Sequence, residues 1–269
     1  MAKKKNILTQ DILISEMNDC TEAERVLFAD LCAAQSYTVA GLSEEEGIGI
    51  YNEKRLHKML KRTLCEDESC FEVKVGRFVA DVLDGAVIRE IQCRSFTPLV
   101  KKIEYYLSET DYAVQIVHPI IVDRLLIRAE RETGEILSQK LSPKHETLYD
   151  ALAELYPIRH LLSNRRLSYR VMLIECEEYR YSERRYRCRE GRYDHESFPT
   201  ALVGSVTFRS AQDYAPLLPD SLRGREISAA DFAAYSGLKG RKLYSALNVL
   251  SALGILRREE RGRCVVYVG

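Results

Sequence analysis

The feature that most constrains this chain is a pair of apolar runs, FVADVL and AVIREIQ, which are joined by Asp84 and Gly85. An Asp-Gly pair between two apolar runs predicts a β-hairpin with a two-residue turn. With Asp84 and Gly85 as the turn residues, Asp81 pairs with Ile88. Because side chains alternate along a strand, Asp81 and Glu90 then project from one face as diagonal neighbours. The sequence therefore predicts two adjacent carboxylates within a mostly apolar ribbon.

Two interpretations of this carboxylate pair are open. Oxygen ligands at such a spacing suit a magnesium or manganese ion, and two buried carboxylates without a cation would repel each other and lose hydration. Alternatively, the pair lies on an exposed face where water solvates both charges. The apolar residues on both faces of these strands are typical of a covered sheet, and spacing alone leaves both interpretations open.

A helix is predicted upstream of the hairpin, in the segment NEKRLHKMLKRTL at residues 52–64. Its apolar side chains recur at the helical period, and Glu53 and His57 fall on the same inward stripe. For His57 we favour a packed, hydrogen-bonded core residue over a contact with phosphate. Five basic side chains are expected to face mostly outward, namely Lys54, Arg55, Lys58, Lys61 and Arg62.

Strands and helices alternate through the rest of this region, which predicts an α/β domain. After the hairpin, TPLVKKIEYYL is typical of a helix that begins near Thr97. The order of elements is therefore a helix with Glu53, a strand with Asp81, a strand with Glu90, Ile91 and Gln92, and a second helix.

This order resembles that of the PD-(D/E)XK nuclease superfamily over about residues 50–180. The resemblance implies a restriction-endonuclease-like mixed sheet flanked by helices. It also implies Glu53, Asp81 and Glu90 as ligands of Mg²⁺ or Mn²⁺, with the carbonyl of Ile91 as a further ligand. The implied activity is metal-assisted hydrolysis of a DNA phosphodiester. The chain also resembles an uncharacterised bacterial family with this core, in which Glu-Ile-Gln replaces the usual Glu-x-Lys.

Gln92 departs from the superfamily pattern because it occupies the position of a catalytic lysine. An amide can hydrogen-bond an attacking water, but it brings no positive charge to the transition state. In some members a lysine on the following helix takes this role, which makes Lys101 and Lys102 candidates. Lys102 falls at the edge of the packed stripe and is the better candidate, and the alternative is a solvated lysine.

The C-terminal segment, from about residue 217, predicts two helices followed by a hairpin. Ser228 and Asp231 form a capping signal, and Gly237 ends the first helix. This pattern resembles a winged helix-turn-helix, with the second helix in the major groove and the wing on phosphates. A winged helix that binds protein is the alternative. The residues expected to contact nucleic acid are Arg241, Lys242, Tyr244, Arg257, Arg258, Arg261 and Arg263.

The positive charge of the chain is local. Residues 222–269 hold nine Lys or Arg against four Asp or Glu, although the whole chain has a formal net charge of zero. A nucleic-acid surface is therefore expected to be a patch. The run rich in arginine and tyrosine from 180 to 193 is either a further basic strip or a strand end with a linker.

We therefore predict an N-terminal helical extension (1–45), a nuclease-like domain (46–195) and a winged helix-turn-helix domain (196–269). The predicted function is a Mg²⁺- or Mn²⁺-dependent DNA nuclease, and the alternative is a DNA-binding regulator whose nuclease-like core is inactive. Eight scattered cysteines without a Cys-x-x-Cys pair indicate the cytoplasm, and no apolar run is long enough to span a membrane. The oligomeric state is open, with a homodimer as one alternative because many nucleases that cut both strands are dimers.

Overall fold

The computed structural model describes residues 13–34, 48–130, 133–181, 195–262 and 264–269. The side chains of residues 48–54, 195 and 264 lie outside the described set. Within it, the chain has one mixed sheet of seven strands and a second sheet of three strands. The expected α/β architecture, a mixed sheet flanked by helices, is confirmed.

The central sheet is parallel in its middle and antiparallel at both sides. Its strands lie in the order β1-β2-β3-β4-β6-β7, and β5 pairs with β4. Strands β3, β4 and β6 run parallel to one another, and the remaining pairs are antiparallel. The strands are β1 Phe71–Val75, β2 Phe78–Asp84, β3 Val87–Ile91, β4 Ala113–Ala129, β5 Ile136–Leu141, β6 Leu167–Tyr181 and β7 His195–Phe208.

The predicted hairpin is formed by β2 and β3, but its register differs from the expected one. The observed cross-strand pairs are Asp84–Val87, Leu83–Ile88 and Val82–Arg89. The turn residues are Gly85 and Ala86, because Gly85 has a φ of +57° and this left-handed conformation suits the first central position of a type II′ turn. The expected pairing of Asp81 with Ile88 is therefore wrong, and continuing the observed ladder places Asp81 next to Glu90.

Helices cover both faces of the central sheet. On one face, Phe28 and Leu60 form a buried cluster with Val117 and Met172 of the sheet. On the other face, Ile103 packs in a larger cluster with Val114 and Ile116 of β4. The helices are α1 Glu22–Ala33, α2 Ile48–Leu64, α3 Val100–Glu109 and α4 Leu148–Glu154. Short 3-10 turns are formed by Glu68–Cys70, Thr97–Leu99, Tyr156–Leu161, Ala211–Leu217 and Asp220–Leu222.

The C-terminal segment forms the expected two helices and hairpin. Ser228 caps the first helix in a capping box with Asp231, and Gly237 ends it with a φ of +74°. The elements are β8 Glu226–Ile227, α5 Ala229–Ser236, α6 Gly240–Ala252, β9 Arg257–Arg261 and β10 Cys264–Val268. The small sheet has the strand order β8-β10-β9.

The expected domain boundary at residue 196 is wrong. Strand β7 pairs with β6 along its length, so that residues up to Phe208 belong to the central sheet. The C-terminal helices also share a hydrophobic cluster with α4, and the ring of Tyr149 in α4 packs edge-on against Phe232 and Tyr235 of α5. The segment after β7 therefore packs directly on the core of the chain.

The N-terminal extension is likewise part of the core where it is described. Phe28 of α1 is fully buried in the cluster on the α2 face. Before α1, the Asn18 carboxamide accepts the amide of Ser205 in β7 at 3.0 Å, and the Asp19 amide donates to the Ser205 carbonyl at 2.9 Å. Residues 18–34 thus pack against the sheet at its β7 edge.

Two findings concern the environment of the chain. In the part of the chain that the structure describes, no helix is both long and apolar enough to cross a membrane. The cysteines with described side chains are free thiols, namely Cys20, Cys32, Cys65, Cys70, Cys93 and Cys176.

The turn between β1 and β2 gives a test of the packing. Gly76 has a φ of +60°, and a Cβ there would lie 1.9 Å from the hydroxyl oxygen of Tyr105. Gly76→Ala is therefore expected to lower the free energy of unfolding by about 2–3 kcal/mol, the sum of left-handed strain and lost aromatic packing. Gly85→Ala is the matched control, because Gly85 has a similar φ of +57° with open space around it. Urea denaturation that gives equal losses for both variants would contradict the described packing of Tyr105.

Candidate functional site

Asp81 lies where the β2–β3 ladder ends, and its carboxylate contacts both β3 and α2. The Ile91 amide donates to Oδ2 at 2.8 Å, His57 Nε2 lies 3.2 Å from the same oxygen, and Lys61 Nζ lies 3.8 Å from Oδ1. Burial raises the pKa of Asp81, but the hydrogen bond from His57 and that from the Ile91 amide outweigh it, so the net shift is downward. Asp81 is therefore an anion at neutral pH.

Glu90 lies in β3 and is almost completely buried, with 1% of its surface exposed. Lys102 Nζ of α3 donates to Oε2 at 2.5 Å. The buried Oε1 makes no hydrogen bond of good geometry, but the Tyr106 hydroxyl lies near the carboxyl group and acts to lower its pKa. Burial and the charge of Asp81 raise the pKa of Glu90 to about 7, although Lys102 acts in the opposite direction. The Glu90 carboxyl group is thus buried beside the ammonium group of Lys102.

Helix α2 contributes to the site through residues four apart, which share one side of a helix. His57 is half-buried and bonds Asp81, so the expected hydrogen bond of this histidine is present, although its side chain is not fully buried. Lys61 is 7% exposed, and its ammonium contacts Glu72 and Asp81, which corrects the expectation that it faces outward. Glu53 lies one turn before His57 in α2, and its side chain falls outside the described residues.

The two carboxylates are adjacent on their strands but contact different helices. Asp81 bonds side chains of α2, and Glu90 bonds Lys102 of α3. The strand register places the two residues opposite each other, but their side chains do not share the expected common surroundings. Where the ladder ends, the Asp81 carboxylate accepts a hydrogen bond from the Ile91 amide. The charge of Asp81 still raises the pKa of Glu90, so the two carboxylates are close enough to interact electrostatically.

Several observations bear on whether this site could hold a divalent cation. Carboxylate oxygens are the ligands that Mg²⁺ and Mn²⁺ prefer. The buried Oε1 of Glu90 makes no hydrogen bond of good geometry, although the Tyr106 hydroxyl lies near this carboxyl group and acts to lower its pKa. Among the described side chains, no group of three or more His, Cys, Asp or Glu could hold a metal ion by itself. Asp81 and Glu90 are two of the expected ligands, the carbonyl of Ile91 is a third, and the side chain of Glu53, the further expected ligand, lies outside the described residues.

Gln92 is held by contacts outside the carboxylate pair. The side-chain amide nitrogen of Gln92 donates to the Ser95 carbonyl at 2.9 Å. The backbone carbonyl of Gln92 accepts from Nδ1 of the buried His118 at 2.5 Å. Burial lowers the pKa of His118, which favours the neutral ring. Gln92 thus anchors the loop that follows β3.

Lys102, the expected candidate on the following helix, contacts Glu90. Lys102 is largely buried and pairs with Glu90, so the alternative of a solvated lysine is wrong. Lys101 is exposed. The positive charge that Gln92 lacks is therefore present near Glu90, and it comes from α3.

Helix α6, the expected recognition helix, is only partly free to contact another molecule. Arg241 and Tyr244 are exposed. Lys242, however, bonds Asp150 of α4 at 2.8 Å and lies 4.0 Å from Glu154. These contacts tie one side of α6 to α4. Arg241, Lys242 and Tyr244 are all exposed, but the ammonium of Lys242 is already engaged by α4.

The expected wing, β9 and β10, carries mixed charge. Its arginines pair with glutamates of the same small sheet: Arg257 with Glu259, Arg258 with Glu260, and Arg261 with Glu226 and Glu259. Such exposed pairs are weak, so the guanidinium groups can exchange partners. Arg263 and the arginine-rich run at 182–194 lie outside the described residues.

Sequence reasoning missed three residues of the site. Lys61 and Glu72 meet although eleven positions separate them, and Tyr106 of α3 is fully buried close to Glu90. A signal was present for Lys61, because it follows Glu53 and His57 at intervals of four in the sequence. No comparable signal marks Glu72, whose position depends on how β1 pairs with β2.

Comparisons with known proteins give a family but no activity. A model of the DUF8091 family, described as a domain of unknown function, matches residues 54–209. Comparison with curated proteins and with solved structures found no match. The matched segment covers more than half of the 269 residues, ends directly after β7 and contains Asp81 and Glu90. The chain belongs to the DUF8091 family.

Proposed function

We propose that this chain is a metal-dependent nuclease that hydrolyses phosphodiester bonds of DNA, with a restriction-endonuclease-like core. The observation that carries the proposal is the pair of Asp81 and Glu90 on neighbouring strands, with Lys102 bonded to Glu90. Both carboxylates are mostly buried, and the raised pKa of Glu90 indicates that Lys102 offsets only part of the cost of burial and of the nearby Asp81 charge.

The side chains of the site supply complementary contacts. Asp81, Glu90, the Ile91 carbonyl and Glu53 would hold Mg²⁺ or Mn²⁺, which when bound supplies a Lewis acid for the phosphoryl group and lowers the pKa of a coordinated water. The Ile91 amide and His57 orient the Asp81 carboxylate. Lys102 provides positive charge in place of the lysine that Gln92 replaces.

The segment after β7 would deliver DNA to the core as a winged helix-turn-helix. Its two helices are joined by a short connection and followed by a hairpin, as in that motif. Exposed Arg241 and Tyr244 of α6 and the wing residues Arg257, Arg258 and Arg261 would contact the duplex. Because Lys242 bonds α4, the helix and the core would approach DNA as one body.

The second candidate is a DNA-binding regulator with an inactive core. The amide of Gln92 donates to Ser95 and brings no charge to the carboxylates, which favours this alternative. Under it, Asp81 and Glu90 would be structural, and the α6 surface would carry the function.

A cleavage assay distinguishes the two candidates. The purified full chain is incubated with linear, circular and single-stranded DNA and with RNA, in Mg²⁺, Mn²⁺ or EDTA. The proposal predicts cutting of DNA that requires the metal and stops in EDTA. Salt-sensitive DNA binding without cutting in either metal would instead support the regulator.

A further inference from the structure

Lys61 is a buried lysine that touches two acidic residues at the candidate site. It is 7% exposed, its ammonium contacts the Glu72 carboxylate, and it lies 3.8 Å from Oδ1 of Asp81. Lys102 lies on the other helix and is bonded to Glu90. Two ammonium groups, from α2 and α3, thus flank the carboxylate pair.

The partners of these two lysines differ in exposure. The Glu90 side chain that holds Lys102 is 1% exposed, whereas the Glu72 side chain that holds Lys61 is 63% exposed. Water can solvate Glu72 once Lys61 leaves, but it cannot reach Glu90 in the same way. Lys61 can therefore exchange its partner at a low cost in desolvation free energy. Lys102 cannot, because its departure would leave the Glu90 carboxylate buried without a counter-charge.

Glu72 adopts an unusual backbone conformation at this contact. Its φ of +52° is the one left-handed value at a non-glycine residue among the described residues. It lies between the cross-strand pairs Phe71–Val82 and Val73–Ala80, and hence opposite Asp81. Strain of this kind persists where surrounding contacts impose it, and it clusters at ligand-binding sites.

We propose that Lys61 is a phosphate-binding residue of the candidate site, and that its ammonium exchanges the Glu72 carboxylate for a phosphate oxygen of bound nucleic acid beside Asp81. The inference rests on the proposed function and extends it by naming the residue that receives the phosphate. In the absence of nucleic acid, the Glu72 carboxylate then occupies the position of the phosphate and holds the Lys61 ammonium at the site. An ammonium beside Asp81 also supplies positive charge that Gln92 lacks.

The test measures how DNA affinity depends on salt, with Lys61→Met and the control Lys58→Met, which changes an exposed lysine of the same helix. Affinity for a short fluorescent duplex is measured by anisotropy in Ca²⁺ at several salt concentrations. Loss of one phosphate contact is expected to reduce the slope of log K against log salt by about 1 in Lys61→Met, with Lys58→Met unchanged. Equal slopes in all three proteins, or equal losses in both variants, would overturn the assignment.

Glu72→Gln gives an independent readout, because it frees Lys61 without altering the ammonium. We expect Glu72→Gln to bind the duplex roughly two- to fivefold more tightly, the scale of one exposed ion pair. The gain should vanish in the double variant with Lys61→Met, and a gain that persists there would contradict the exchange.

The failure of this inference is distinguishable from the failure of the proposed function. If the wild-type chain cleaves DNA and Lys61→Met keeps both the slope and the cleavage rate, the role of Lys61 is refuted and the nuclease stands. If the wild-type chain cleaves nothing and Lys61→Met still loses one unit of slope, the nuclease is refuted and the phosphate contact stands.

Discussion

Asp81→Asn is expected to lower the rate of metal-dependent DNA cleavage by about 10²–10³-fold, the scale seen when one electrostatic contact is removed from an active site. Asparagine keeps the shape of the side chain and an oxygen that can accept the Ile91 amide, which donates to Asp81 at 2.8 Å. It removes the negative charge that a cation needs. The fold should therefore remain while the activity is lost.

The control for this variant is Asp84→Asn in the same hairpin. Asp84 is exposed and bonds Arg89 at 2.8 Å, away from the carboxylate pair, so cleavage should stay within about twofold of wild type, as for a weak surface ion pair. Thermal unfolding of both variants shows whether the fold is intact. A folded Asp81→Asn protein that cleaves at the wild-type rate would remove Asp81 from the site.

Glu90→Gln is expected to change how stability depends on pH. The pKa of Glu90 is about 7 in the folded chain, against an ordinary value of 4.5. A raised pKa means that the folded state binds the proton more tightly, so this contribution is complete below about pH 4.5 and is lost as the pH rises through 7. The unfolding free energy of wild type minus that of Glu90→Gln should therefore fall by about 3 kcal/mol between pH 4.5 and 8.

Taking the difference between the two proteins removes contributions from other titrating groups. Burial lowers the pKa of His118, which gives a slope of opposite sign in part of this range, and that contribution is common to both proteins. Urea denaturation at several pH values measures the difference, with Glu109→Gln as a control because Glu109 is exposed on α3. A difference that is independent of pH, or that grows with pH, would show that the pKa of Glu90 is not raised.

The β2–β3 hairpin shows what local sequence can predict and where it stops. The apolar runs and the Asp-Gly pair predicted both strands, but the turn began one residue later because Gly85 takes the first central position. The error shifted the register by two residues, and it still left Asp81 beside Glu90. Adjacency was thus predictable, whereas the contacts to separate helices depend on how α2 and α3 pack.

The burial of Lys61 illustrates a different limit. A helical pattern assigns lysines to the outer face because an unpaired buried ammonium is costly. In the folded chain, burial lowers the pKa of Lys61, and Asp81 and Glu90 partly restore it. Both carboxylates come from strands that follow α2, so a pattern confined to α2 contains no information about them. Lys102 was predictable because the superfamily resemblance pointed to the helix that carries it.

The C-terminal boundary shows why composition is a weak guide to domains. The change in composition near residue 180 suggested a linker, yet both flanking segments are strands, β6 and β7, paired with each other. The residues at 182–194 connect them and lie outside the described set. Strand pairing is a long-range contact, and a run of arginines and tyrosines carries no signal for it.

The most direct test of the central claim is calorimetric titration of Mn²⁺ into the wild-type chain, Asp81→Asn and Asp84→Asn. If Asp81 and Glu90 form the cation site, wild type and Asp84→Asn should bind Mn²⁺ with the same affinity, and Asp81→Asn should show binding weakened at least tenfold, the lower end for removal of a group that supports a metal. Mn²⁺ binding of equal affinity in all three proteins, or no binding by the wild-type chain, would contradict the account.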